Sequence, residues 1–297
     1  MNRILYLFLL SLWPVASLSQ QANMNVALMQ NTFLVVGSGK TLGSITSGTA
    51  FLLVRPFSTE KPDAQTVTGK AVLITAAHVF EEMSGDEAHI ILRSHGAADI
   101  WTPQGGHFSI RRGGVPLWKK IRDVDVAVMY VKWPLAAPDI LSTRVLADDE
   151  LLKKTDVEPG TELKILGYPL NSTSNDAGFP ILRTGVIASY PLLPTSTTKT
   201  FLLDFRVFKG NSGGPVYYAE SVPKGTGMVC CPPEFIMGLV CKEKFVDMPY
   251  SQLQLSLAEI IHASAIRAAI ELLPASETPE ADASLVTVEL DTPQAPH

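Results

Sequence analysis

The stretch "FKGNSGGPVYY", residues 208–218, places Ser212 among three glycines directly before a run of β-branched and aromatic residues. Gly, Asn and Ser are common in turns, and Val216 to Tyr218 has the composition of a strand, so a turn before a strand explains this composition. The glycines also leave the Ser212 hydroxyl open to a substrate backbone, and the amides of Gly210 and Ser212 can face a developing oxyanion. A lone serine is a poor nucleophile, so this second interpretation requires a base and an orienting acid elsewhere in the chain.

Short apolar runs with β character dominate the rest of the sequence. Gly, Pro, Asp or Ser clusters separate them, which is typical of antiparallel barrels or sandwiches. One series ends near Val131, and a second begins near Thr161 after a stretch rich in Pro, Asp and Glu that contains a short helical piece, "DDELLKK". The sequence therefore predicts an all-β fold of two antiparallel β units.

A C-terminal helix of roughly four turns is predicted after the second series. Ser256 and Glu259 have the spacing of a capping box, and apolar residues recur at helical spacing at Leu257, Ile261, Ala265, Ala268 and Leu272. From Pro274 the sequence is acidic and mostly aperiodic, which indicates a mobile tail. The predicted divisions are a signal peptide at 1–19, an N-terminal β-barrel at 20–147, a C-terminal β-barrel with the helix at 148–273 and a flexible acidic tail at 274–297.

Composition and the N-terminus narrow the class of protein. The 297 residues have a net charge of -5, which offers no basic footprint for nucleic acid. One cation at Arg3, an apolar run from Ile4 to Trp13 and small residues at Ala16, Ser17 and Ser19 predict a secretory signal peptide, and the run is too short to span a bilayer. We therefore expect export, to the periplasm or the medium, and no stable membrane insertion after cleavage.

The three cysteines, Cys230, Cys231 and Cys241, lack the paired spacing of a zinc site, so no metal and no cofactor are predicted. In an exported protein, one pair could form a disulfide. The alternative is three small, half-buried apolar side chains.

A base and an orienting acid are both available in the first series. His78 follows small residues in "LITAAHVF" at a predicted strand end, whereas the other histidines lie in loop-like, helical or tail contexts: His89, His95, His107, His262 and His297. Taken alone, His78 is better explained as a structural residue with its hydrogen bonds satisfied. Asp123 and Asp125 stand at the edge of the apolar run in "RDVDVAVMYV", and residue alternation does not choose between them.

Taken in order, "TAAHV", "DVAV" and "GNSGGPV" resemble the chymotrypsin-like serine peptidases, over roughly residues 31–273. The resemblance implies a double β-barrel with His78 as the base, Asp125 as the orienting acid and Ser212 as the nucleophile, and leaves Asp123 unmatched. It also implies an oxyanion hole formed by the amides of Gly210 and Ser212. His78 and Asp125 would then come from the first barrel and Ser212 from the second.

Further details resemble the HtrA-type members of that family. Asn211 stands where animal trypsin-like enzymes have an Asp that pairs with a newly cut N-terminus, so activation by such a terminus is not expected. The tail is too short and polar for the PDZ domain that HtrA-type proteins usually append. The matching segment "GLVCKEK" implies that Cys241, Lys242 and Glu243 lie along the substrate-binding edge, with Cys241 as a free buried thiol near the catalytic Asp.

The predicted function is a serine endopeptidase that cleaves peptide bonds of a protein or peptide substrate through an acyl-enzyme. Two alternatives stay open. One is a hydrolase of the same fold that acts on esters or on one dedicated protein partner, and the other is a noncatalytic binding module that kept the motif.

Overall fold

Two antiparallel β structures make up most of the chain in this computed structural model, which describes residues 23–57, 68–135, 140–219, 233–248, 251–275 and 285–291. The predicted signal peptide lies outside these residues. Among the described helices, none combines the length and the apolar character that crossing a bilayer requires.

The first structure is a strongly curved sheet built from the first series of apolar runs. A short helix, α1 at Met24–Gln30, precedes it, and α2 at Ala77–Glu81 follows its third strand. Its strands are β1 Thr32–Ser38, β2 Ile45–Pro56, β3 Gly69–Thr75, β4 Glu87–His95, β5 Trp101–Ser109 and β8 Ala127–Lys132, and β6 Arg111–Arg112 pairs with β7 Val115–Pro116 in a separate ribbon. Strand β4 shows the period of two expected for a half-buried strand, with Ala88, Ile90 and Leu92 fully buried.

The second structure is a closed barrel in the order β10-β11-β14-β13-β12-β9. The helix α3 at Asp149–Lys154 precedes it, capped by the Asp148 carboxylate as in the predicted "DDELLKK" helix, and α4 at Ala263–Ile270 follows it. Its strands are β9 Glu162–Gly167, β10 Ile181–Ile187, β11 Thr200–Asp204, β12 Pro215–Tyr218, β13 Phe235–Met248 and β14 Ser251–His262. The all-β, double-barrel fold class is thus confirmed.

The C-terminal helix exists, but its predicted start and length are wrong. Residues from Ser256 to His262 belong to β14, and the helix has 8 residues rather than four turns. Leu257 to Ile261 pair with β11 on one side, and the same strand pairs with β13 on the other. Ser256 has φ 57, a left-handed conformation that no helix start adopts. Pairing on both sides has therefore overridden a locally helical pattern.

Part of the predicted mobile tail is structured. Residues 286–287 form β15, parallel to β8, and residues 289–290 form β16, antiparallel to β5. Val288, between them, is only 1% exposed. The run "LVTVEL" alternates apolar and polar residues over too few positions to stand out from its acidic surroundings. The remaining tail residues, 276–284 and 292–297, lie outside the described part of the chain, and the predicted domain boundaries stay predictions.

Candidate active site

His78 lies in the first turn of α2, immediately beyond β3 rather than at the end of a strand as predicted. Ala76 and Ala77, where the chain leaves the sheet, are fully buried. Val79 and Phe80, also buried, anchor the helix in the first core. The imidazole is therefore carried by a short element whose position is fixed by packing on both sides.

Asp125 is the acid that the fold brings to His78. One carboxylate oxygen, Oδ1, accepts a hydrogen bond from the His78 amide at 2.8 Å, and Oδ2 lies 2.6 Å from the His78 Nδ1. Asp123 instead lies in a turn with φ 63, its side chain is 85% exposed and its nearest cation is Arg122 at 3.9 Å. The geometry thus distinguishes two aspartates that residue alternation leaves equivalent.

The ionisation of this pair is shaped by burial and by mutual attraction. Burial is the largest single influence on His78 and lowers its pKa, but the hydrogen bond and charge of Asp125, with smaller contributions from Glu82 and Glu81, outweigh it and raise the pKa overall. Burial is also the largest single influence on Asp125, but for a carboxyl group it raises the pKa. The hydrogen bonds and charge of His78, with a smaller hydrogen bond from Cys241, outweigh burial and hold the pKa of Asp125 below its usual value. A charged Asp125 beside a histidine that is easier to protonate is suited to a base that must carry a proton briefly.

Cys241 connects this pair to Ser212. Its thiol is free and buried, and Sγ donates to the Asp125 Oδ2 at 3.1 Å. Its carbonyl accepts a hydrogen bond of 3.0 Å from the Ser212 Oγ. Burial, followed by the charge of Asp125, raises the pKa of the thiol, so it stays protonated and serves as a donor.

Lys242 and Glu243 follow Cys241 on β13, opposite Glu259 and Ala258 of β14. Lys242 is exposed and Glu243 is half-buried. Their role in substrate binding stays a prediction, as does that of Cys241. Cys230 and Cys231 lie outside the described residues.

Ser212 lies in the serine loop, residues 208–214, between β11 and β12. Within the described residues its hydroxyl donates to Cys241 and has no hydrogen bond with His78. Catalytic hydrogen bonds are often long before substrate binds, so this arrangement is compatible with a nucleophile and base that approach on binding.

Four consecutive carbonyls of the serine loop accept hydrogen bonds. Lys209 O accepts from the Leu170 amide at 2.7 Å, and Asn211 O accepts from the Gly214 amide at 3.0 Å. Gly210 O accepts from the Thr49 hydroxyl at 2.6 Å, and Ser212 O accepts from the Thr49 amide at 2.8 Å. These bonds fix the orientation of each peptide plane in the loop.

The loop amides are paired selectively. Asn211 N donates to Phe208 O at 3.0 Å, and Gly213 N donates to Val240 O at 2.7 Å. Within the described chain, the amides of Gly210 and Ser212 donate to no protein group. In a planar trans peptide the carbonyl and the amide point in opposite directions, so the bond from Leu170 to Lys209 O turns the Gly210 amide away from Leu170.

Backbone conformation and lack of space explain why glycine occupies positions 210 and 213 of the loop. Gly210 has φ 92 in a turn closed by the Asn211–Phe208 bond, which is the third position of a type II turn and requires glycine. A Cβ on Gly210 would lie 2.1 Å from Tyr168 O, and one on Gly213 would lie 2.1 Å from Thr49 O. The loop therefore presses against both β2 and the segment after β9.

Thr49 and Leu170 are the residues around the loop that the sequence did not point to. Leu170 has φ 53 and the next residue, Asn171, has φ 62, so both adopt a left-handed conformation that is rare for a bulky residue such as leucine. A strained turn of this kind is not visible in "GYPLNS", and Thr49 lies 161 residues before its partner Gly210.

The remaining histidines of the described chain lie elsewhere. His95 stacks on Trp101 with ring centroids 4.4 Å apart, His107 contacts Asp291 at 3.0 Å, and His89 faces His107 across β4 and β5. His262 is 1% exposed and neither ring nitrogen has a hydrogen-bond partner. Among the described residues, no group of three His, Cys, Asp or Glu side chains has the arrangement of a metal site.

A model of the Trypsin family matches residues 64–231, a span that includes His78, Asp125 and Ser212. The chain belongs to the trypsin family.

Solved structures include a crystal structure of the serine endoprotease from Yersinia pestis, which is 12% identical with a TM-score of 0.44. That alignment covers 83% of this trypsin-family chain and 64% of the other chain, so this chain spans slightly less than two thirds of that protein. No curated protein matched the chain. The predicted closeness to HtrA-type members stays a prediction.

Proposed function

We propose that the protein is a serine endopeptidase that hydrolyses peptide bonds through an acyl-enzyme. One observation carries the proposal: Cys241 accepts a hydrogen bond from the Ser212 hydroxyl at its carbonyl and donates one from its thiol to Asp125, which in turn is hydrogen-bonded to His78. Residues that are remote in sequence thus meet where the two barrels face each other.

His78 is the general base. Asp125 accepts a hydrogen bond from Nδ1 and holds the imidazole in the tautomer that leaves Nε2 as an acceptor. As Ser212 Oγ attacks the carbonyl carbon of the substrate, its proton passes to His78 Nε2 and the carbonyl π electrons move onto oxygen. Asp125, which stays ionised, stabilises the imidazolium that forms.

The oxyanion is received by the amides of Gly210 and Ser212. Two amides without a protein partner among the described residues, on a loop whose carbonyls from Phe208 to Ser212 all accept hydrogen bonds, form a preorganised receptor for developing negative charge. Collapse of the tetrahedral intermediate then breaks the C–N bond, and the leaving amine takes the proton from His78. Water, deprotonated by His78, hydrolyses the ester on Ser212 and regenerates the enzyme.

The place of action follows from the predicted signal peptide. We propose that the mature protein acts outside the cytoplasm, in the periplasm or the medium, on an exposed segment of a protein or peptide.

The test is digestion of a peptide library by the purified protein, read by mass spectrometry. We expect many cleavage products from the wild type, and a loss of turnover on the order of 10⁴-fold or more in Ser212→Ala and in His78→Ala. Ser94→Ala and His95→Ala, at the half-buried and exposed last two positions of β4, are matched controls and should cleave at the wild-type rate.

Other outcomes distinguish the alternatives. Products that persist in both Ser212→Ala and His78→Ala would contradict the proposed roles. Hydrolysis of activated esters without peptide products would favour an esterase or a protease dedicated to one partner. A folded protein inert towards both substrates and towards serine-directed reagents would favour a binding module.

A further inference from the structure

We propose that Thr49, on β2 of the first barrel, is a positioning residue that holds the serine loop of the second barrel in the form that receives the oxyanion. The inference rests on the proposed function, because it assigns a task within the same site. Thr49 donates hydrogen bonds to the first and the last residue of the tripeptide Gly210-Asn211-Ser212.

The two bonds from Thr49 reach the loop on either side of Asn211. The hydroxyl donates to Gly210 O at 2.6 Å, and the main-chain amide donates to Ser212 O at 2.8 Å. Thr49 is fully buried, so neither bond competes with water. The loop therefore has its orientation set from the opposite barrel and not by its own strands alone.

The hydrogen bond from the Thr49 hydroxyl restrains Gly210, whose backbone has more conformational freedom than that of a residue with a side chain. Glycine has no Cβ to restrict its φ and ψ, so Gly210 can leave the φ 92 conformation at little steric cost. The Thr49 hydroxyl fixes the peptide after Gly210 by its bond to Gly210 O, and the Leu170 amide fixes the peptide before it by its bond to Lys209 O. Together, the two bonds set the direction in which the Gly210 amide points. Without the Thr49 hydroxyl, the bond to Lys209 O remains and the bond to Gly210 O is lost.

The same hydroxyl also binds the segment that supplies the other constraint. Thr49 Oγ1 accepts a hydrogen bond of 3.3 Å from the Tyr168 amide, two residues before Leu170. One hydroxyl thus connects the serine loop to the segment 168–170, whose Leu170 amide binds Lys209 O. Loss of the hydroxyl therefore removes the bond to Gly210 O and also one bond to the segment whose Leu170 amide holds Lys209 O.

Thr49 is itself held rigidly. Its carbonyl accepts a hydrogen bond of 2.7 Å from the Thr75 hydroxyl, and its β-branched side chain has few rotamers. Next to it, Gly48 has no room for a Cβ, which would lie 2.5 Å from Val79, the residue after His78. The strand that fixes the serine loop therefore also contacts the helix that carries the base.

The experiment compares Thr49→Val, which keeps the shape and removes the hydroxyl, with Thr49→Ser, which keeps the hydroxyl. Thr195→Val is the matched control, since it removes a buried hydroxyl whose hydrogen bond of 2.6 Å goes to Asp149 and not to the serine loop or to Thr49. The readouts are kcat and KM on a peptide cleaved by the wild type, the affinity for a peptide aldehyde that forms a tetrahedral adduct, and the Gly210 amide resonance of ¹⁵N-labelled protein.

We expect Thr49→Val to lower kcat by about 10- to 100-fold, less than the 10²- to 10³-fold cost of deleting an oxyanion donor outright. The aldehyde should lose affinity by a similar factor, and KM should stay within about threefold because substrate binding is not altered. The Gly210 resonance should broaden or double. Thr49→Ser should restore kcat to within about fivefold, and Thr195→Val should lose thermal stability but keep kcat and a single Gly210 resonance.

A folded Thr49→Val protein with the kcat and Gly210 resonance of Thr195→Val would overturn the inference. If Thr49→Val does not fold, Thr49→Cys, with a weaker donor, replaces it: a kcat at least tenfold below Thr49→Ser supports the inference, and equal values overturn it. A wild type without any turnover would contradict the proposed function instead, and the Gly210 resonance would still decide the role of Thr49.

Discussion

The two barrels differ in how each one closes. The second closes with strands from residues 162–262, so a continuous part of the chain completes it. The first sheet runs from β15 to β16, and these two edge strands are halves of one C-terminal segment joined through Val288. The first barrel therefore depends on residues that follow the whole of the second.

In the candidate site it is the second barrel that depends on residues from elsewhere in the chain. His78 and Asp125 are bonded to each other within the first barrel, by contacts of the Asp125 carboxylate with the His78 backbone and ring. The serine loop of the second barrel takes two of its bonds from Thr49 of the first. Each barrel thus lacks something that a distant part of the chain supplies, and substitutions can remove these contributions separately.

The largest effect is expected from breaking the half of the site that lies within the first barrel. Asp125→Asn should lower kcat by about 10⁴-fold, because an amide favours the wrong imidazole tautomer. Asp123→Asn is the matched control, since its side chain is exposed and asparagine tolerates φ 63. Kinetics on a cleaved peptide measure both, and equal losses would contradict the assignment of Asp125.

Detaching the C-terminal segment should weaken the first barrel. Val288→Asp places a carboxylate where the side chain is 1% exposed, and should cost about 3 kcal/mol of unfolding free energy, measured in urea. Thr287→Asp, one residue away and exposed, is the control and should cost less than about 1 kcal/mol. Similar values for the two variants would show that this segment does not close the barrel.

Acid should weaken the second barrel through His262. Burial lowers the pKa of His262 to about 4, so the unfolded chain takes up this proton first as the pH falls from about 6.5. The stability contributed by keeping His262 neutral is complete above pH 6.5 and falls by up to about 3 kcal/mol towards pH 4. In His262→Phe, urea unfolding at pH 7 and pH 4.5 should show a weaker pH dependence; an unchanged dependence would exclude His262 as its source.

Alkaline pH should weaken the first barrel, by the smallest of these effects. The hydrogen bond that His107 donates to Asp291 is the largest influence on the pKa of His107 and raises it. Burial, next in size, lowers the pKa, and the charges of Asp291, Glu289 and Glu87 raise it further, so that the pKa lies above the usual value. This contribution is complete below about pH 6.5 and is lost as the pH rises through the raised value. Melting temperatures at low salt should fall between pH 6 and pH 8 in the wild type more than in His107→Gln. Equal changes would show that His107 contributes nothing at this edge.

Much of this fold and part of the site were predictable from sequence. Alternating apolar runs located the strands, and three short motifs located His78, Asp125 and Ser212. Alternation did not separate Asp123 from Asp125, because Asp123 lies in a turn and β8 begins only at Ala127.

The contributions from distant residues were not predictable. The residues after Ser256 have helical spacing but form strand β14, because they pair with β11 on one side and β13 on the other. The bond from Thr49 to Gly210 and the pairing of residues 286–290 with the first sheet have no local pattern, because their partners are defined only by the folded chain.

The central claim is that Ser212 is a nucleophile activated by His78 within the folded trypsin-family chain. Treatment with a fluorophosphonate, followed by peptide mapping, tests it most directly. We expect one phosphonyl adduct on Ser212 in the wild type, no adduct in Ser212→Ala, and labelling slowed by several orders of magnitude in His78→Ala. A folded wild-type protein that acquires no adduct on Ser212, or acquires it equally fast without His78, would contradict the account.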